Sequence, residues 1–160
     1  MRSLVAIAVL AASVPFLEAL AAKLDDSPSP RQRIDVRTRW LHDGDNLSDP
    51  KLLNAMIADV ANLDVRLNTA AYVGKRGRIY MSVPQVVPGL RSPEGMRVEW
   101  RTRGLFQAGS VLPGGRALLY DGLIEKPITG DILDVSIFLD ARDTGAGLRF
   151  EPRFEIDLHP

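Results

Sequence analysis

The chain has 160 residues, no cysteine, and 20 acidic against 20 basic residues, so it carries no formal net charge. This composition excludes disulfide staples, thiolate zinc or iron–sulfur centres, a cysteine nucleophile and a lipid-modified cysteine anchor. It leaves no overall field to draw the chain onto nucleic acid, and 46% apolar with 25% charged residues suits an ordinary folded domain.

Arg2 forms a short positive start, Leu4 to Leu17 is an apolar run, and Ala19, Leu20 and Ala21 space small residues as a signal peptidase requires. Pro15 and Glu18 interrupt the apolar stretch, which falls short of the roughly 20 residues of a spanning helix. A signal peptide over residues 1–21 is therefore expected. It implies a periplasmic or secreted protein with no membrane span after cleavage. Residues 22–33 include "KLDDSPSPRQR", whose prolines, serines and charges predict a flexible leader. A single domain over 34–160 follows, large enough to bury a core without staples.

"IDVRTRW" alternates Ile34, Val36, Thr38 and Trp40 against Asp35, Arg37 and Arg39, the pattern of a half-buried strand. In "SDPKLLNAMIADVANL" the residues Leu52, Leu53, Met56, Ile57, Val60 and Leu63 form a helical stripe, with Ser48 or Asp49 as cap and Pro50 at the first position. One helix over about 50–62 is expected; the competing reading is a loop into the strand "LDVRL". Further strands are read in "RIYMSV", "MRVEWRTR", "RALLYDGLI" and "DILDVSIFLD", separated by glycine- and proline-rich turns. "RALLYDGLI" is apolar on both faces, which places it mid-sheet. The closing "LRFEPRFEIDL" alternates Leu148, Phe150, Phe154, Ile156 and Leu158 with charged residues, and the short turn "RDTGAG" makes it the expected hairpin partner of 131–140. Pro152 cannot donate to a ladder, so a free edge is expected around Arg153, Glu155 and Asp157.

Connections this short force antiparallel pairing. The predicted fold is mainly β: an antiparallel two-sheet, immunoglobulin-like sandwich of about seven strands with one short early helix, or failing that an up-and-down barrel.

Chemistry-bearing clusters are few. Asp43, Asp45, Asn46 and Asp49 offer hard oxygens to calcium, but the spacing departs from an EF-hand and such residues crowd into turns for backbone reasons. Arg97, Arg101 and Arg103 share one strand face near Arg91 and Arg116. They form either an anion-binding surface or a face paired with acids, for which the closing strand supplies three. A catalytic triad would have to join His42 to a serine such as Ser110, which lacks a nucleophile-elbow pattern. Trp40 and Trp100 both fall on apolar faces and read as core. No cofactor motif occurs.

The expected function is that of an exported, non-enzymatic module acting by protein–protein contact in the cell envelope or outside it, by strand addition or self-association. The alternatives are a glycan- or small-ligand-binding envelope protein, and below that a hydrolase. From about Asp64 to Leu158 the strands and turns of "VEW", "PGGRALLYDG", "ILDVSIFLDA" and "FEPRFEID" are loosely similar to subunits of surface fibres and pili. That resemblance implies a fimbrial structural subunit, although the leader contains no evident donor strand.

Overall fold

The computed structural model describes residues 21–30, 37–42 and 52–159. Nine strands occur among them: β1 (Ala22–Lys23), β2 (Arg39–Trp40), β3 (Ala55–Asn68), β4 (Arg76–Ser82), β5 (Met96–Thr102), β6 (Gly109–Val111), β7 (Arg116–Leu123), β8 (Ile128–Asp140) and β9 (Arg153–Leu158). They form a four-stranded sheet in the order β1-β9-β4-β7 and a five-stranded sheet in the order β2-β3-β8-β5-β6, with antiparallel pairing throughout. The alternating apolar residues of each sheet meet in one core. Val65, Leu67, Val98, Trp100, Leu133 and Val135 come from the larger sheet, facing Ile79, Met81, Leu119, Phe154 and Ile156 from the smaller. The fold is the antiparallel sandwich its alternation implies.

The helix expected over 50–62 is replaced by strand. Leu52–Asn54 make a 3-10 turn and β3 follows directly. A β-bulge caused the misreading. Val60 pairs with Val135 but Leu63 pairs with Leu133, so β3 carries one extra residue between them. Inward side chains run Met56, Ala58, Val60 and then, past the bulge, Leu63, Val65 and Leu67. Residues 56, 60, 63 and 67 thereby mimic a helical face. Asn62 adopts φ 57°, a left-handed conformation asparagine tolerates, and its N–H donates to Asp134 Oδ1 at 3.0 Å.

A second bulge explains "RALLYDGLI". Ile79 pairs with Tyr120 and Tyr80 with Leu118, which leaves Leu119 over. β7 is the edge of its sheet, not the middle. Its outer side is covered by the β5–β6 connection, where the Gln107 N–H donates to the Leu119 carbonyl at 2.7 Å.

β9 is not the hairpin partner of β8. Residues 141–152 instead cross to the other sheet along the 87–91 loop, with Gly145 N–H to Gly89 O at 2.7 Å and Arg149 N–H to Pro88 O at 3.0 Å. Gly89 has φ +83°, and a Cβ there would stand 2.5 Å from the Leu148 nitrogen, so the crossing needs glycine at this point.

The leader expected to be flexible over 22–33 is partly built into the sandwich. Ala22 pairs with Ile156 and Lys23 with Glu155. Leu24 is 2% exposed within the core. Asp25 then bridges to Asn68 of the other sheet, and Ser29 Oγ bonds both the N–H and the carbonyl of Arg66. Residues 22–29 therefore clasp the two sheets together.

Candidate functional site

Arg97 and Arg101 stand on the outer face of β5, and Arg103 follows directly after the strand. Their acids do not come from the closing strand, which lies in the other sheet. Arg97 pairs with Glu99 at 3.0 Å and lays its guanidinium 4.7 Å from the Phe138 ring centre. Arg103 holds Asp134 with both oxygens engaged, at 2.8 and 3.0 Å. The Asn62 N–H, and next Arg103, keep the Asp134 carboxyl below its ordinary pKa, and Arg101 adds its field. Asp59 is lowered first by the Ser136 hydroxyl and then by Arg39. This face is an ion-paired ladder, with Arg97 and Arg103 already engaged.

The edge expected at Arg153, Glu155 and Asp157 is not free. β9 lies between β1 and β4, and the Leu24 N–H donates to the Phe154 carbonyl at 2.8 Å. Glu155 and Asp157 face outward and share Arg116, at 3.8 and 3.2 Å, while the Arg116 guanidinium sits 4.2 Å from the Tyr80 ring centre. Ser82 Oγ donates to Glu155 at 2.9 Å. Beside them Arg78 and His159 meet on Asp121. Arg97 and Arg103 on one outer face, and Arg78 and Arg116 on the other, are thus paired with acids.

Asp43, Asp45 and Asp49 lie outside the described residues. No group of three metal-ligating side chains occurs among the described ones. His42 follows β2 and Ser110 is in β6, at opposite edges of the larger sheet, so the fold does not bring these two together. Trp100 is buried, with its Nε1–H donating to the Gln107 carbonyl at 2.9 Å. Trp40 corrects the expectation of a second core tryptophan, since it is 58% exposed.

Between the sheets, on the side of β3 and β9, runs a groove of about 1240 Å³. Ala58, Val65, Val135, Ile137 and Phe154 in its walls are each nearly inaccessible to solvent. Its mouth is open to solvent, with Asp26, Ser27, Glu151 and Arg153 exposed along the rim.

What remains is at the two ends of the sandwich. β4 and β7 run between them, with Ser82 opposite Arg116 at one end and Arg76 opposite Leu123 at the other. At the Leu123 end, Val73, Leu105, Leu123 and Ile128 are exposed, and Ile132 lies beside them beyond the last β5–β8 pair. A surface pocket of about 290 Å³ there is lined by Leu105, Tyr120, Leu123 and Ile128 on one hand and by Glu125, Lys126, Thr129 and Gly130 on the other. At the opposite end Val86 is 83% exposed, and Leu112, Trp40 and Leu53 are exposed as well. These nine are the exposed large apolar side chains among the described residues. Sequence reading passed over most of them because they sit in turn-rich segments such as "GLFQAG" and "PQVVPGL". The available signal was an apolar residue inside a proline- or glycine-rich loop, where no strand period requires one. Comparison with family models, with curated proteins and with solved structures finds no match for this chain.

Proposed function

We propose that this chain is an exported β-sandwich module that works by protein–protein contact, not catalysis, and that its ends are its contact surfaces. The observation that carries the reading is the partition of its surface. Many charged side chains on the outer faces are engaged in ion pairs, whereas the exposed apolar side chains lie toward the two ends, with Leu105, Leu123 and Ile128 meeting around one pocket. Clustered apolar exposure marks interaction sites, whereas scattered single residues do not. Export is supported by Arg2, the apolar run and the Ala19-Leu20-Ala21 spacing. The glycan or small-ligand alternative has less support. The pocket of about 290 Å³ falls just below the usual range for ligand sites.

The test is chemical cross-linking in the cells that make the protein, read at Lys75 and Lys126, two exposed lysines at the Leu123 end. The expected result is a link to another polypeptide that weakens in Leu123→Asp. If neither lysine links to any other chain, the ends are not contact surfaces and the reading is wrong.

A further inference from the structure

We propose that the fold guards its own processing site: once the clasp formed by residues 22–29 has closed, the Ala21–Ala22 bond is no longer a good substrate, so signal cleavage must precede folding. This rests on the export reading above and gives it an order of events.

The bond to be cut joins Ala21, exposed and outside any strand, to Ala22, the first residue of β1. The residues that follow it are held one after another. Ala22 and Lys23 pair with Ile156 and Glu155 of β9. Leu24 is 2% exposed in the core, and its N–H donates to the Phe154 carbonyl at 2.8 Å. The Asp25 carbonyl accepts from the Asn68 N–H at 2.8 Å. Ser29 Oγ accepts from the Arg66 N–H at 2.8 Å and donates to its carbonyl at 2.9 Å.

Hydrolysis adds one water across the bond and leaves a carboxylate on Ala21 and an ammonium on Ala22. To do this a peptidase must draw residues on both sides of the bond, in extended form, into its own cleft. A chain laid against β9 from its first residue after the bond, with Leu24 buried just beyond, cannot enter that cleft. The clasp must open first, which gives up the Leu24 burial and the bonds to β9 and β3 together. Cleavage of the folded precursor then proceeds only from the opened fraction, and its rate follows the population of that form. The small residues Ala19 and Ala21 are the same in a folded and an unfolded chain. The fold, not the motif, makes the difference. A precursor that folds before it meets the peptidase keeps its signal peptide.

The experiment gives the full 160-residue precursor to purified signal peptidase in detergent and reads cleavage by mass. One sample is folded beforehand, as checked by circular dichroism; the other is diluted from urea straight into the peptidase. The expected cut after Ala21 occurs in both, at least about tenfold more slowly in the folded sample. Folded Leu24→Ala and Ser29→Ala precursors are cut faster than folded wild type, Ser29→Ala by about threefold for its lost bonds to Arg66. Diluted from urea, both variants are cut at the wild-type rate. Ser29 lies well past the bond, and its variant keeps the test decisive should Leu24→Ala not fold. Folded and urea-diluted wild type cut equally fast, or folded variants cut no faster than folded wild type, would overturn the proposal and leave the export reading standing. No cut after Ala21 even in the urea-diluted chain would refute the signal peptide and the proposal with it.

Discussion

Truncating Leu24 to alanine tests whether the segment before residue 30 belongs to the fold. Leu24 is 2% exposed and sits in the core cluster, while its N–H and the Asp25 carbonyl tie it to β9 and β3 at 2.8 Å each. The truncation removes the equivalent of about three methylene groups, worth roughly 0.8 kcal/mol each in transfer alone, or about 2.4 kcal/mol. The cavity left behind adds to this, within the ~2–5 kcal/mol span of buried Leu→Ala changes. Because Leu24 borders the groove between the sheets, its neighbours have room to relax, which favours the lower half, about 2–3 kcal/mol. Against a total stability of roughly 5–15 kcal/mol this is a large loss. In a domain of this size it lowers the melting temperature by about 6–10 °C. Urea unfolding followed by tryptophan fluorescence should show a lower midpoint with an unchanged slope, and Lys23→Ala, at the exposed residue just before it, should not. If Leu24→Ala stays within about 0.5 kcal/mol of wild type, as surface substitutions do, the clasp does not exist in solution.

Three further outcomes are expected. Gly130→Ala places a Cβ 2.3 Å from the Val65 carbonyl oxygen, a backbone atom of the neighbouring strand, so β3 and β8 must part locally; a loss of about 1–3 kcal/mol in urea is expected, and wild-type stability would contradict the register. The lowered Asp59, Asp121, Asp134 and Asp140 carboxyls contribute stability that is complete above their ordinary value of 3.8 and lost as pH falls through their depressed folded values. The urea midpoint should therefore fall steeply only below about pH 4, and Asp134→Asn should flatten that fall; an identical acid slope in the variant would show that the Asn62 and Arg103 bonds are not made. Finally, N-terminal sequencing of protein from its own host should begin at Ala22, and a chain beginning at Met1 would rule out the signal peptide.

The larger outlines of this fold were legible in the sequence because alternation is a local property. "RIYMSV", "MRVEWRTR" and "DILDVSIFLD" each match an observed strand, β4, β5 and β8. The failures share physical causes. Bulges at Asn62 and Leu119 insert one residue into a period of two, and an interrupted two-period looks like a helix in one case and a fully buried strand in the other. The partner of β9 was misjudged because a short turn suggests a hairpin, whereas the crossing is stitched to the 87–91 loop by backbone bonds that no side-chain pattern records. Leu24 was missed because a single apolar residue among prolines, serines and charges has no period at all. The arginines of β5 were correctly placed on one face, but their acids lie on β8 and on β5 itself, and only sheet order reveals that.

The pairing of Ala22 with Ile156 also has a kinetic consequence. β9 completes both β1 and β4, so the smaller sheet cannot assemble until nearly the whole described chain has been made. In the larger sheet β3 likewise waits for β8, and only β2–β3 and β5–β6 join neighbours in sequence. Each distant pairing must close a long loop before its contacts repay the entropy, so a chain of this topology folds slowly. A fragment ending before Arg153 would leave β4 unpaired along one side and β1 with nothing to dock on. Slow closure also prolongs the unfolded state, the form in which a secretion channel would carry the chain along the export route proposed here.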